Sequence, residues 1–402
     1  MAATHLSQGP QHLPVPSSFN DKHSLQGKHG QPLIHHRKGL LGTMARHQID
    51  GPLVTILAIL GTYALFPNSF AKKFLFFQHY DSATETYEKS WEDLYFLLFW
   101  VISFTFLRAA VMTYGLVPMA RRLGASTERT IQRFAEQGWI CIYYSCSWVL
   151  GMELTVIIMI ESSAVKTGFE QKEEAKKLRA PNLQGYCLQL TPTWNNWLVW
   201  FHTDQFFDSY PLTALPVITK YYYWLQFSFW IQQMFVLCIE APRKDFLAML
   251  SHHLVTVMLI TFSLTLNVTT FGTAVFVSMD LADIVLSFGK CFKYIGMPDS
   301  ICDPIFACFM VIWIYTRHFL YGHIIYAWIL HGGQYYSRTA HYTVIGLLLV
   351  LQSLMFFWLW SIFRIVYKMF ASKGGVVDDR SDDEEDQAVA PEHLHLDSKP
   401  RR

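Results

Sequence analysis

Charged residues are scarce in this sequence. Asp, Glu, Lys and Arg make up only 16% of the 402 residues, whereas soluble domains contain about 25%. The net charge is +1, and no basic stripe or RNA-binding signature is present, so the sequence does not predict a nucleic-acid partner. Hydrophobic residues account for 52% of the chain, and the mean hydropathy is +0.21. This composition indicates a membrane protein that crosses the bilayer several times.

Cysteine is also sparse, and the motifs of several enzyme classes are missing. The 7 cysteines are scattered and lie mostly inside apolar stretches, which excludes a disulfide framework. A glycine-rich phosphate loop, a G-x-S-x-G elbow and an H-E-x-x-H motif are absent, so the sequence predicts none of the sites that those motifs form. The repeated short histidine spacings of membrane di-iron enzymes are absent as well.

Eight apolar segments follow one another along the chain, and most of them are near the ~20 residues that a spanning helix needs. We therefore predict an all-α, polytopic membrane protein with about eight transmembrane helices. The first segment is short, and the fourth contains three glutamines. The segments are about 52–66, 94–116, 138–160, 218–239, 246–266, 271–288, 304–329 and 343–367.

The distribution of Lys and Arg predicts how these helices are oriented. Short loops rich in basic residues stay in the cytosol. On this rule both termini are cytosolic, and the long loop at 161–217 faces the lumen. The basic residues that set this orientation follow the second, fourth and sixth segments: Arg121, Arg122, Arg129, Arg133, Arg243, Lys244, Lys290 and Lys293.

Composition divides the chain into four parts. Residues 1–48 are predicted to form a disordered cytosolic arm, 49–93 the first transmembrane helix with a luminal loop, 94–370 the main membrane domain, and 371–402 a disordered acidic cytosolic tail. In the tail, Ser381 precedes three acidic residues. Acidophilic kinases favour this pattern, so we predict that Ser381 is phosphorylated.

Ionisable residues are concentrated in the fifth and sixth segments. His252 and His253 lie at nearly the same distance before the intervening turn as Asp280 and Asp283 lie after it, so an antiparallel hairpin would hold all four at one depth. An ionised aspartate near the bilayer centre costs about 2.5 to 3.5 kcal/mol, and such residues are functional candidates by default. The four residues therefore predict a functional centre.

A histidine beside a carboxylate supplies either a general base or a nucleophilic imidazole, and acyl transfer uses both. A metal site is the alternative, but two histidines and two aspartates do not match the histidine-rich membrane metalloenzymes, so we expect no metal. Arg317, in the seventh segment, is predicted to be neutralised by Glu153 or Asp280, and it is also a candidate for substrate binding.

The motif RKDFLAMLSHHLVT, followed by MDLADIVLSFGKCFKYIG, resembles the Lag motif of the TLC-domain superfamily. Within it, the chain resembles the ceramide synthases, the sphingoid-base N-acyltransferases of the endoplasmic reticulum. The runs KYYYWLQFSFWIQQMFVLCIEAPRKDF and WIYTRHFLYG are similar to the fungal branch, and the resemblance covers roughly 90–370. Many animal members carry histidine where this chain has Met279, and the fungal members resemble this chain there.

The resemblance implies a TLC-type helical bundle in the endoplasmic reticulum membrane. It implies transfer of a fatty acyl group from acyl-CoA to the amine of a long-chain base, with acyl-CoA as a substrate and no further cofactor. The essential histidines fall on His252 and His253, and the essential aspartates on Asp280 and Asp283. The expected partners are a second ceramide synthase chain and a small single-pass subunit.

Two questions stay open at this level. The reaction can proceed by direct attack of the amine, with histidine as general base, or through an acyl-imidazole, for which His252 is the favoured carrier. The chain could instead be a non-enzymatic TLC protein linked to lipid sensing or translocation. The basic candidates for binding CoA at the cytosolic mouth of the site are Arg243 and Lys244, together with Arg121, Arg122 or Arg133.

Overall fold

The computed structural model describes residues 47–84, 86–167, 213–239 and 245–372. The predictions for the N-terminal arm, the acidic tail with Ser381, and Arg243 and Lys244 therefore lie outside the described residues. The elements are α1 (Asp50–Leu65), α2 (Lys72–Leu75), β1 (Tyr80–Asp81), β2 (Thr86–Glu88), α3 (Asp93–Arg122), α4 (Glu128–Thr167), β3 (Ala214–Pro216), α5 (Val217–Ile239), α6 (Phe246–Thr265), α7 (Thr269–Tyr294), α8 (Asp299–Tyr335) and α9 (Arg338–Ser372).

The predicted all-α membrane fold is confirmed, and a helix covers each of the eight apolar segments. Within the described part of the chain, five helices are long and apolar enough to cross a membrane: α3, α6, α7, α8 and α9. Helix α1 is apolar but has only 16 residues, and α4 and α5 carry more polar side chains. The total of eight spans therefore remains a prediction.

Helix α7 is the centre of the bundle. In its apolar stretch 56% of the residues are buried, against 17% to 33% in the other four long apolar helices. It packs most extensively against α4 and also against α8, while α6 packs against α5 and α9. Asn267, in the turn between α6 and α7, takes the left-handed conformation with φ 61°. The resulting hairpin places the candidate residues of α6 and α7 inside the bundle.

Close approach of α4, α5 and α7 depends on a glycine. A Cβ at Gly151 would lie 2.6 Å from both the Tyr222 hydroxyl and a methyl group of Val277. Small residues allow helix backbones to approach closely in membranes. Gly151 therefore lets α4 pack near α7 at the level of the candidate site.

A three-stranded antiparallel sheet at the end of the bundle was not predicted, because its strands have only two or three residues each. Strand β2 pairs with both β1 and β3, which connects the segment before α3 to the start of α5. Nearby, Lys89 Nζ donates to the Leu264 carbonyl at 2.9 Å and to Asn267 Oδ1. Burial lowers the pKa of the Lys89 ammonium to about 8. These bonds fix the α6–α7 turn to the sheet region.

Candidate active site

The adjacent histidines point in different directions from α6. His253 is buried, whereas His252 is half-buried. Their ring centroids are 5.6 Å apart, and the Trp230 ring lies 5.4 Å from His252 and 5.5 Å from His253. On its other side, His252 lies 5.4 Å from the Trp358 ring. Aromatic rings from α5 and α9 therefore hold the two imidazoles at fixed orientations.

The two imidazoles differ in their hydrogen bonds. His253 Nδ1 lies 2.7 Å from the Met249 carbonyl oxygen. A carbonyl oxygen only accepts, so Nδ1 of His253 carries the proton and its Nε2 keeps the lone pair when the ring is neutral. His252 Nδ1 is buried and has no hydrogen-bond partner among the described residues. His252 therefore retains a nitrogen that is free to interact with a substrate.

Asp280 is held by polar side chains from two neighbouring helices. It is 1% exposed, and its Oδ2 accepts hydrogen bonds from Ser147 Oγ at 2.8 Å and from Gln226 Nε2 at 3.4 Å. The Gln226 amide also donates to Ser147, and its oxygen accepts from the Tyr143 hydroxyl at 2.8 Å. This network fixes the carboxyl group on the side of α7 that faces α4 and α5.

Asp283 forms a partly buried ion pair with Arg317. Arg317 Nη2 lies 2.6 Å from Asp283 Oδ2 and donates to the Met279 carbonyl at 3.0 Å. The guanidinium also lies 4.1 Å from the centre of the Trp313 ring. The predicted pairing of Arg317 with Glu153 or Asp280 is therefore wrong. The reason is that Asp283 is turned toward α8, while Asp280 is turned toward α4 and α5.

An open cavity joins these groups, and its empty space, the mouth included, is about 760 Å³. One end is lined by His252, Asp280, Asp283 and Arg317, and most of the remaining lining is apolar and continues along α6 to Leu266. His253 is not among the lining residues. The structure thus brings one predicted histidine, both aspartates and Arg317 to a single cavity, with the second histidine behind it. The apolar lining includes Leu259, Ile260, Phe262, Leu266, Val268, Phe271, Val275, Phe276, Trp328, Val344, Leu348 and Leu351.

Sequence reasoning missed the residues that surround the four candidates. Gln226 is one of the three glutamines that interrupt the fourth apolar segment, and the sequence predicted no role for it. In the structure its amide donates to Asp280. Ser147 and Thr256 carry no sequence signal of their own, since hydroxyl residues are common in membrane helices. A glutamine inside an aromatic-rich helix is the one signal that could have been used, because a buried amide needs hydrogen-bond partners.

The described part of the chain contains no group of three or more His, Cys, Asp or Glu side chains able to hold a metal ion. The oxygen of Asp283 is already bound by Arg317. Asp280 is likewise bound by Ser147, so both carboxylates already have polar partners in the protein. The prediction that the reaction uses no metal stays a prediction.

Comparison with known proteins shows the family. Residues 133–364 match the TLC domain. Sphingosine N-acyltransferase lag1 of Schizosaccharomyces pombe is 29% identical over 387 residues, which cover 92% of this chain and 87% of the relative. Ceramide Synthase FUM18 of Gibberella moniliformis is 28% identical over 362 residues, covering 80% and 75%.

Ceramide synthase LAG1 of Saccharomyces cerevisiae is 28% identical over 366 residues, covering 86% of this chain and 79% of the relative. These similarities confirm the resemblance to fungal ceramide synthases that the Lag motif predicted. Because the matched region covers more than half of the chain and contains every residue of the cavity, the chain belongs to the TLC-domain family.

Proposed function

We propose that this protein is a ceramide synthase that transfers a fatty acyl group from acyl-CoA to the amine of a sphingoid base. The observation that supports it best is the placement of His252, with an unpartnered ring nitrogen, at the polar end of a long apolar cavity. The similarity to fungal sphingosine N-acyltransferases supports the same conclusion.

The cavity suits a long acyl chain. Its lining follows α6 from His252 to Leu266, a distance of about 21 Å at a rise of 1.5 Å per residue. Apolar side chains line most of this length, and binding there removes the chain from water. A thioester carbonyl placed at His252 would direct its hydrocarbon tail toward the α6–α7 turn.

The acyl group passes through His252. A ring nitrogen attacks the thioester carbon, the C–S bond breaks, and CoA leaves as a thiol with the proton that the imidazole gives up. The neutral amine then attacks the acyl-imidazole, the bond between the acyl carbon and the ring nitrogen breaks, and the ring takes up the proton that the amine loses as the amide forms. This division lets CoA leave before the second lipid enters one elongated cavity, which is the gain that covalent catalysis offers.

The other charged groups support this reaction. The sphingoid amine arrives as an ammonium and must lose a proton before it attacks. We assign the role of proton acceptor to His253, which lies next to His252 behind the lining of the cavity and has its Nδ1 fixed by Met249. Asp280 and Asp283 stabilise the positive charge that develops on the imidazoles and keep the rings in orientation. Arg317 keeps Asp283 in place.

The remaining partners and the location follow from the same proposal. CoA is a polyanion and binds at the cytosolic mouth of the site, where the basic candidates are Arg243, Lys244, Arg121, Arg122 and Arg133. Arg121 also forms an exposed ion pair with Glu128 at 3.2 Å. The protein resides in the endoplasmic reticulum membrane with both termini in the cytosol, and it works with a second catalytic chain and a small single-pass subunit.

A direct assay tests the proposal. The purified protein is incubated with acyl-CoAs of different chain length and with sphingoid bases, and the products are measured by mass spectrometry. We expect an amide of the base and a matching amount of free CoA. Binding of base or ceramide without any amide product, across the whole panel, would contradict the proposal and support a lipid-sensing role instead.

Replacement of Gln226 by Leu tests the network around Asp280. Without the amide, the Asp280 carboxyl loses a donor and the Ser147 hydroxyl loses a neighbour. We expect kcat to fall about 10²-fold with little change in KM, because a small misplacement of a catalytic group has an effect of this size. Gln232→Leu is the matched control, since it removes another buried amide of α5 that does not contact Asp280. Equal rates for the two variants would contradict a positioning role for Gln226.

A further inference from the structure

Thr256 differs from most threonines in the interior of the described helices. Thr261 and Thr265 on the same helix, and Thr273 on α7, each donate the hydroxyl to the carbonyl oxygen four residues earlier, at 2.8 to 3.0 Å. This is the usual bond of a threonine inside a helix. The Thr256 hydroxyl makes no such bond, and it has no partner among the described residues.

The Thr256 hydroxyl is buried in the wall of the cavity. Thr256 is only 8% exposed, and an unpartnered buried hydroxyl is unfavourable unless a ligand or water supplies its partner. Thr256 lines the same cavity as His252. The hydroxyl therefore belongs to the wall of a ligand site and is available to a bound molecule.

Thr256 also stands in a fixed relation to the proposed acyl carrier. The two residues are four positions apart on α6, so their Cβ atoms lie about 5 to 6 Å apart on one face. Side chains on a helix lean toward its N-terminus, which directs the Thr256 side chain toward the turn that carries His252. His252 Nδ1 is also unpartnered. One helix turn thus presents both a nucleophilic ring and an unused hydroxyl donor to the cavity.

We propose that Thr256 is a catalytic residue whose hydroxyl donates a hydrogen bond to the carbonyl oxygen of the acyl thioester. The inference rests on the proposed acyl transfer. When His252 attacks, the carbonyl electron pair moves onto the oxygen, and the Thr256 O–H stabilises the resulting negative charge. When that pair returns, the C–S bond breaks and CoA leaves. The Thr256 proton stays on Oγ throughout, so the step needs no further reactant.

Three other buried donors at the cavity also lack a partner among the described residues, and they define the rival assignments: Tyr223 Oη, Trp230 Nε1 and Arg317 Nε. The rest of the Arg317 guanidinium binds Asp283 and the Met279 carbonyl. Arg317 lies on α8, and Tyr223 and Trp230 lie on α5, so none of the three shares the turn of α6 that carries His252 and Thr256. We therefore assign the oxygen contact to Thr256.

Three variants of Thr256 test the assignment. Thr256→Val keeps the shape and removes the hydroxyl, and we expect the single-turnover rate of acyl transfer to fall 10² to 10³-fold, as when one oxyanion donor is removed elsewhere. Thr256→Ser should stay within a few-fold of the unmodified protein, and Thr256→Ala should match the valine variant. Thr261→Val is the control, because it removes a hydroxyl of α6 that is bonded to its own helix.

The outcomes separate this inference from the proposed function. If the unmodified protein forms no amide, the acyltransferase proposal itself fails. If it forms the amide and the valine and alanine variants are as fast as the serine variant, Thr256 is not the donor, and Tyr223, Trp230 or Arg317 takes its place. If the valine variant does not fold, the alanine and serine pair decides. Slow turnover with an unchanged melting temperature supports the assignment.

Discussion

His252→Ala is expected to lower the rate of acyl transfer by about 10⁴-fold or more, while the protein keeps its fold. The imidazole is the nucleophile of the proposed reaction, and loss of a nucleophile removes the whole covalent route. The side chain makes ring contacts with Trp230 and Trp358 and has no hydrogen-bond partner on Nδ1. Its removal therefore leaves no polar group of the protein unsatisfied. Amide production and melting temperature are the two measurements.

The covalent intermediate gives a second readout. Mixing the protein with acyl-CoA, in the absence of a base, should add the mass of one acyl group, and this adduct should be missing in His252→Ala. His253→Ala should lower the rate of amide formation by about 10² to 10⁴-fold, the usual contribution of a general base. The acyl adduct should still form in this variant. If no adduct appears under rapid quench and both substrates must bind before CoA leaves, the direct route is correct.

Another histidine of the bundle provides the control for these variants. His318 lies on α8, and its Nδ1 is 2.9 Å from Gln352 Nε2. It is absent from the lining of the cavity. We expect His318→Ala to retain most of the activity. A loss as large as that of His252→Ala would show that histidines of this bundle matter through packing, and it would contradict the assignment of His252 as nucleophile.

Much of the fold follows from the lengths of apolar runs. The bilayer requires internally hydrogen-bonded segments of about 20 residues, so helices were predictable wherever such runs occur. The α6–α7 hairpin follows from a short polar turn between two runs. From this hairpin alone, His252, Asp280 and Asp283 could be assigned to one depth, and the cavity lining includes all three.

The direction of individual side chains could not be predicted in the same way. Arg317 lies in a π-helical turn, Tyr315–Leu320, which departs from the regular period of an α-helix and changes the direction of the side chains it carries. The sequence placed Arg317 in the seventh segment without giving the direction of its side chain, and the partners predicted for it, Glu153 or Asp280, were wrong. Similarly, the contact between Gln226 and Asp280 joins helices α5 and α7, whose relative rotation depends on packing around small residues such as Gly151.

The ion pair of Arg317 and Asp283 is expected to contribute to stability. Arg317→Leu is expected to destabilise the protein by about 3 kcal/mol, because loss of one partner leaves the other charge unpaired inside the bundle. We place the value at the lower end of the usual range since the Asp283 side chain retains 27% exposure. Thermal unfolding in detergent measures the effect. Lys293→Leu is the control, because it breaks an exposed pair with Asp299 and should change stability by less than about 1 kcal/mol.

The double variant Arg317→Leu with Asp283→Leu separates charge pairing from catalysis. Replacing both members of a buried pair by apolar residues is often neutral for stability, so we expect most of the melting temperature to be recovered. Activity should stay low, because the carboxylate that stabilises the charged imidazole is gone. Recovery of stability together with activity would show that Asp283 serves only to neutralise Arg317. In that case Asp280, held by Ser147 and Gln226, would be the one carboxylate of the cavity that takes part in acyl transfer.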